Sequence, residues 1–558
     1  MHPLWRKIRS CSGKYALILA IVSLGIVGIG LRTIHHGDWL IFQSDQSRDT
    51  LIVERALGDG GFTDLPLLGP QARGSDLHLG PVFYYFQYWS GKLFGPSPEA
   101  FAYPDLLFSI LFLPLLYWLL CMFFDRGLSA WLTALASVSV FLVTFSRFAW
   151  NPNGLPFFTT LFLACFLEAL QAGGRKRWTM IIGASISFGI IAQLHFVATI
   201  GLAIGIIIFT VRRRAFDWKE IALFMAIVLA IHTPMLLSEY RSGGANTRAL
   251  FSSVRDKGSK DDGHNILEKT FRAYQEQSRI IWFMTVGQQN TDTILTRGFV
   301  IKCDQKCRAA LPASVASMLL FGAILVFGRQ TYRSETDEKK RTALTFVLIW
   351  FGSFFFVTIL VAYQISTRFY LGIAPIIFIL IGLAAQRLLA IEPKKIRGAI
   401  TLAGVAFIAL NLFMATNYLS ELSMSRTSNA ESGRDAVFGT DNKVTLGQLR
   451  ALATETDRRF PIEQPLFISG ESRYARSLYY LLSVEHQRKG CYVKGDSGNG
   501  IPRTFAHVAI DFTQATDNEK SSDPNEARFG TLTARFDDAV EPGENDTVQT
   551  SPSTCFTY

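Results

Sequence analysis

Residues Asp38 to Gly95 read DWLIFQSDQSRDTLIVERALGDGGFTDLPLLGPQARGSDLHLGPVFYYFQYWSGKLFG. Asp45, Arg48, Asp49, Glu54 and Arg55 crowd the first third. Trp39, Phe42, Phe62 and the run Phe83, Tyr84, Tyr85, Phe86, Tyr88, Trp89 lie on either side. Charge beside aromatic rings, just past an apolar segment, suits a stretch lying in a membrane interface. It reads as the floor and rim of a site centred on Asp45.

Working outward, long apolar blocks recur from Tyr15 to Tyr418, and 49% of the 558 residues are hydrophobic. A bilayer core takes about 20 apolar residues per helix, and most blocks reach that length. A soluble enzyme could hide one such block but not this many, so an all-α polytopic membrane protein is expected. The formal charge of +10 would suit nucleic acid. Here Lys and Arg cluster in short gaps between blocks, as the positive-inside rule requires, and no nucleic-acid partner is expected. Arg6, Lys7 and Arg9 precede the first span and place the N-terminus in the cytoplasm. That span, Tyr15 to Ile34, has no small-residue cleavage site and reads as a retained anchor.

Further spans are expected at Ala100 to Phe124, Leu128 to Phe145 and Gly154 to Ala172. Trp178 to Val211 is one long apolar stretch broken near Gln193 and His195. Its two Arg-rich flanks both belong inside, which demands two short spans with an outer turn near His195. Ile221 to Leu237, Ala309 to Phe327, Thr342 to Tyr363, Phe369 to Leu389 and Gly398 to Tyr418 bring the total to about eleven. The N-terminus is then inside and the C-terminus outside. Residues 35–99 form a first outer loop, and 238–308 a second, long and polar one.

From Leu419 the composition turns polar, with helix-like VTLGQLRALATETDRRF and strand-like HVAIDF. Roughly 140 residues suffice for a small α/β domain on the outer face. Of seven cysteines, Cys303 with Cys307 and Cys491 with Cys555 fall outside, where each pair could bridge or stay as free thiols.

No GxxxxGK[ST], GxGxxG, HExxH or paired CxxC occurs, which removes the usual support for nucleotide or zinc-hydrolase chemistry. The polar residues gather on the expected outer face: Asp45, Gln46, Asp49 and His78 in the first loop, Arg147 after the third span, His232, Glu239, Arg241 and Arg248 around the seventh, Arg368 and Tyr370 at the tenth. Group transfer outside the cytoplasm needs a donor already activated on a lipid, such as a polyprenyl phosphate sugar. Its phosphate leaving group needs cations, and the acceptor hydroxyl needs a carboxylate base.

SDQSRD, LPLLGP, HLGPVFYYF and KLFG in the first loop, then SRFAWNPN, QLHF, HTPMLLSEYRSGGANTR and RFYLGIAP, stand in an order that resembles the bacterial GT-C superfamily. The likeness is to its family 39 or protein-O-mannosyltransferase-like group, which includes the transferase that puts aminoarabinose on lipid A. It implies a GT-C transmembrane domain over residues 1–420, a C-terminal periplasmic domain over 421–558, and a bacterial inner membrane location. It also implies that the first-loop acid, Asp45, is the catalytic base. Asp45-Gln46 replaces the Asp-Glu common in that group, with Asp49 four residues on as a substitute. Asn151 and Asn153 stand where an acid is common, so the case for a divalent cation is weakened and metal use is left open.

The expected roles are therefore catalysis for Asp45 and Asp49, and donor-phosphate binding for Arg368, Tyr370, Arg147 and Arg241. Gln46, His78, Tyr84, His232 and Glu239 are the candidate substrate contacts. The expected partners are a polyprenyl phosphate-linked sugar donor, a lipid, glycan or protein acceptor, and membrane lipids. Plainer readings stand beside these: Asp45 as a helix N-cap, Asp49 paired to Arg48 or Arg55, Arg368 with Tyr370 as an interface anchor, Glu239 with Arg241 as a local ion pair. The competing functions are a transporter or flippase of a lipid-linked sugar, and a surface-polysaccharide polymerase or ligase.

Overall fold

The computed structural model describes residues 23–72, 75–260, 263–287, 305–391, 394–424, 444–471, 473–492, 506–512, 523–529 and 532–538. Helix α1 (Ser23–Thr33) holds the described part of the first apolar block. Two helices of the first loop follow, α2 (Ser44–Arg55) and α3 (Val82–Phe94), and then the long α4 (Pro98–Leu120). The next block is split at Ser139 into α5 (Arg126–Val138) and α6 (Val140–Phe145). After it come α7 (Leu155–Gln171), α8 (Gly174–Leu194) and α9 (Phe196–Arg213). Then α10 (Trp218–Ile231) and α11 (Thr233–Ser242) meet at His232 with a 64° bend.

The remaining helices of the bundle are α12 (Ala245–Lys260), α13 (Ile266–Val286), α14 (Gln305–Ser334) and α15 (Glu338–Leu360). A 3-10 turn over Thr367–Ile373 leads into α16 (Ala374–Leu389), and α17 (Lys394–Met424) closes the bundle. Among the described residues, each of the eleven apolar segments is thus helical. By length and composition seven of these helices suit a crossing, or eight with the bent pair; α1 and α7 are shorter apolar helices. The polar residues at the gaps start helices: Ser97, Asp125, Asp217 and Asn265 accept backbone N–H groups of the first turns that follow them.

Residues 178–211 do form two helices. Arg177 at the start of α8 pairs with Glu220 and donates to the carbonyl of Ala215 (2.9 Å), just past α9. Helices of 21 and 18 residues reach roughly 30 Å each, so their far ends meet only if the chain reverses at His195. Gly201 and Gly205 let α9 lie directly on α15: a Cβ at either would stand 3.0 Å from the Cα of Phe354 or Trp350. Small residues four apart are the usual device for such close helix contact.

The segment expected as a second long polar loop, 238–308, contains α12 and α13. Helix α13 packs into the bundle against α6, α14, α15 and α17. Its apolar residues Ala273, Ile280, Ile281, Phe283 and Met284 are buried beside Gln275, Glu276 and Gln277. That mixture lowers its hydropathy, so the sequence reads as a loop although the helix is internal.

The C-terminal part is α/β, as expected. Helix α18 (Leu446–Arg459) precedes β1 (Leu466–Gly470), α19 (Ala475–Tyr480), β2 (Gly490–Tyr492), β3 (Ala506–Phe512), β4 (Glu526–Phe529) and β5 (Leu532–Asp537). The strand order is β2-β1-β3-β5-β4, with β2, β1 and β3 parallel and β5 antiparallel to β3 and β4. The two cysteine pairings proposed above each include a residue outside the described ones.

Candidate active site

The motifs that carried the family resemblance meet at one end of the bundle. Gly69 of LPLLGP donates to Leu79 O of HLGP (2.8 Å), and Gly80 donates to Gln193 O of QLHF (3.1 Å). Gln193 Oε1 accepts from Val82 N (3.0 Å), while its Nε2 donates to Ile231 O (2.7 Å). Asn151 of SRFAWNPN donates to Leu194 O (2.7 Å). Gln46 of SDQSRD donates to Ala149 O (3.1 Å), and the Arg368 guanidinium of RFYLGIAP lies over the Trp150 ring at 4.8 Å. These motifs are joints between elements far apart in the chain.

At the head of α2 is a compact charged cluster. Arg48 lies between two carboxylates, with Nε to Asp49 Oδ1 at 2.8 Å and a second nitrogen to Asp45 Oδ1 at 3.3 Å. Tyr84 of α3 donates its hydroxyl to Asp49 Oδ1 (3.2 Å). The two acids differ sharply: the Asp45 side chain is 51% exposed, that of Asp49 only 2%. Burial pushes the Asp49 carboxyl up to about 6 against the pull of Arg48. Because its folded carboxyl holds a proton more tightly than an unfolded one, Asp49 favours the fold at low pH. That contribution is lost as pH rises through about 6. Asp45, facing outward on Arg48, is the carboxylate a substrate could reach. Asp49 anchors the arginine from below.

If ionised Asp49 is what holds Arg48 in place, turnover should fall on the acid side of about pH 6. A kcat–pH profile checks this, and Asp49→Asn should lower turnover while removing that limb.

Gln46 is buried, its Oε1 accepting from Gln43 N at the start of α2 (3.0 Å). His78 docks the first loop on α12, its N–H donating to Asn246 Oδ1 (2.7 Å) and its carbonyl accepting from Asn246 Nδ2 (3.0 Å). Arg368 is half-buried. Tyr370, two residues on in a turn of about 120° per residue, faces the other way into Phe354 of α15.

Other candidates stand apart from this cluster. Arg147 is buried and donates to the carbonyls of Leu31 (3.0 Å), Arg32 (3.1 Å) and Ile34 (2.8 Å), capping α1. Arg147→Ala should therefore cost stability, about 3 kcal/mol for charge-assisted bonds to stranded carbonyls, seen as a lower Tm of the detergent-solubilised protein. His232 donates Nδ1–H to Val228 O (2.8 Å) at the bend. Glu239 accepts from Thr247 N (3.2 Å) at the start of α12, and Arg241 is exposed beyond it.

Two features escaped the sequence reading. Asp105 of α4 is buried and accepts the backbone N–H of Trp150 (2.9 Å), which ties α4 to the main chain of the loop that carries this ring. An acid within an apolar span was a usable signal. On α13, buried Glu276 holds both half-buried Arg272 and half-buried Arg279. Arg272 also lies 6.0 Å from the Tyr363 ring, five residues before Arg368. About three turns beyond Arg272 on α13, Phe283 contacts Phe141 of α6 (5.8 Å). Among the described residues no three His, Cys, Asp or Glu side chains come together as a metal site.

Ser469 Oγ, His507 Nε2 (2.7 Å) and Asp537 form a polar row across β1, β3 and β5. Ser469 lies within a strand, paired to Ala509, not on the exposed turn that presents a nucleophile.

Residues 78–237 match the family model described as dolichyl-phosphate-mannose-protein mannosyltransferase. That stretch runs from His78 through Tyr84, Asp105, Trp150 and the QLHF joint into the first half of α11. The chain is similar in structure to ArnT from Cupriavidus metallidurans in the apo state, at 14% identity and TM-score 0.50. The match covers 94% of this chain and 99% of that one. The chain has the GT-C glycosyltransferase fold. The same ArnT bound to undecaprenyl phosphate aligns at 13% identity and TM-score 0.52, with the same coverage. The apo Archaeoglobus fulgidus oligosaccharyltransferase aligns at 13% identity and TM-score 0.51, covering 89% of this chain and 70% of that one. No curated protein sequence matches the chain. Within this fold, the head of α2 and the 146–153 loop form the candidate active site.

Proposed function

We propose that the protein transfers a sugar from a polyprenyl phosphate carrier to an acceptor hydroxyl of a lipid, glycan or protein. The reaction would take place at the periplasmic face of a bacterial inner membrane. The observation that carries this reading is the outward-facing Asp45 on Arg48, joined through Gln46 and Trp150 to Arg368. It places a carboxylate and a cation on one continuous joint. The ArnT structure with undecaprenyl phosphate supports the choice of carrier class.

In a single displacement, the acceptor oxygen attacks the anomeric carbon and its proton passes to the Asp45 carboxylate. The bond from that carbon to the phosphate oxygen breaks, and polyprenyl phosphate leaves with the electron pair. The configuration inverts, and no covalent enzyme intermediate is needed. Arg368 on Trp150 stabilises the negative charge that grows on the phosphate. Arg147 and Arg241 have other placements and take no part in this scheme.

Purified protein in lipid bilayers, given radiolabelled polyprenyl phosphate sugars and envelope lipid or glycan acceptors, should move label from carrier to acceptor. Retention of all label on every carrier tried would remove the reading.

A further inference from the structure

Helix α2 has two faces, and the second is held by the C-terminal unit. Gln43 at its start donates Nε2 to Tyr474 Oη (3.1 Å), which also accepts Val444 N (2.9 Å). Ser477 donates to Ser47 Oγ at 3.4 Å. Tyr480 donates its hydroxyl to Glu54 (2.6 Å), and its ring meets Phe42 edge-on at 5.3 Å. Around these, Arg450 of α18 pairs with Glu99 at the start of α4 and with Glu485, and Leu446 N and Gly447 N donate to Leu40 O and Asp38 O (both 2.9 Å).

At roughly 100° per residue, positions 43, 47 and 54 fall within about 40° of one another. Asp45 and Asp49 lie close to the opposite side. The C-terminal contacts thus fix the rotation of α2 about its axis, and with it the direction of the carboxylates. Gln43 also bonds Gln46, which bonds Ala149 O, so the same tie reaches the loop beneath Arg368.

We infer that the C-terminal unit is a brace for the catalytic helix, with Tyr474 and Tyr480 as positioning residues for Asp45. Released from the C-terminal contacts, α2 would keep only the ties of its other side, to Tyr84 and Ala149 O, as a pivot about which it can roll. Carboxylate placement matters on the scale of an ångström, so such a roll is costly to the chemistry. The two tyrosine hydroxyls are buried at the junction, where each loses a partner on removal but leaves no volume change.

The test uses the full chain in bilayers, with Tyr474→Phe, Tyr480→Phe and the double variant, and Ser469→Ala as control. Amide exchange over residues 44–55 reads the brace directly. It should speed up at least tenfold in the double variant, while β1 and β3 stay as in the wild type and in Ser469→Ala. The kinetic arm rests on the proposed transfer: kcat should fall at least fivefold, with KM for the radiolabelled polyprenyl phosphate sugar within twofold. Exchange within twofold of wild type overturns the brace. Faster exchange with unchanged kcat overturns the positioning role. A wild type that transfers nothing removes the proposed reaction, while the exchange arm still decides the brace. If the double variant does not fold, Tyr480→Phe alone is judged by the same limits.

Discussion

Asp45→Asn is expected to lower kcat by about three orders of magnitude, the upper part of the range for removing a general base. The substitution keeps size and shape, and Asn can still accept from Arg48 through its carbonyl oxygen, so α2 should stay in place. What is lost is the ability to take the acceptor proton. Donor KM should stay within about twofold, because the carboxylate faces the acceptor side of the reaction. Asp49 does not substitute: it is buried under Arg48 and Tyr84. The measurement is transfer of radiolabel under saturating donor, with circular dichroism and Tm as checks on folding. Turnover of Asp45→Asn near that of the wild type would show that another group is the base.

Arg368→Ala should cut kcat/KM about 10- to 100-fold, the equivalent of a charge-assisted bond of about 1.5–3 kcal/mol. Much of this is expected in the chemical step, since charge on the bridging oxygen grows as the sugar leaves. Arg368→Lys keeps the charge but loses the flat guanidinium that rests on Trp150, so it should recover only part of the loss. Arg241→Ala, at an exposed position, should change kcat/KM by less than about twofold on the same reasoning, since exposed charges contribute little. Equal losses at positions 241 and 368 would mean a diffuse electrostatic effect, not a local clamp. Ionic strength separates the two, because only the diffuse effect is screened strongly by salt.

Much of the architecture was readable from residue order. Apolar length located eleven helical segments because a bilayer demands nearly unbroken hydrophobicity. The paired Arg-rich flanks of 178–211 demanded a reversal that the Arg177–Glu220 joint bears out. The first loop was recognisable as the candidate site because charge there has no apolar helix to explain it. Helix α13 was not recognisable: Gln275, Glu276 and Gln277 are buried inside the bundle beside its apolar residues, and a window average counts them as loop. Nor could sequence separate Arg147 from Arg368. Both follow a span and both look like anion ligands. One is used up on three backbone carbonyls of α1, while the other lies on an aromatic ring.

From the sequence alone follow the membrane-helix class, the α/β character of the C-terminal part and the candidacy of Asp45, because hydropathy, period and local charge are properties of neighbouring residues. Only the tertiary structure decided that Asp49 lies beneath Arg48 while Asp45 faces out, that Asp105 holds the main chain at Trp150, and that residues more than 400 positions apart hold α2 in rotation. Those facts depend on which side of a helix meets which partner, and contacts between distant segments leave no periodic trace in either segment.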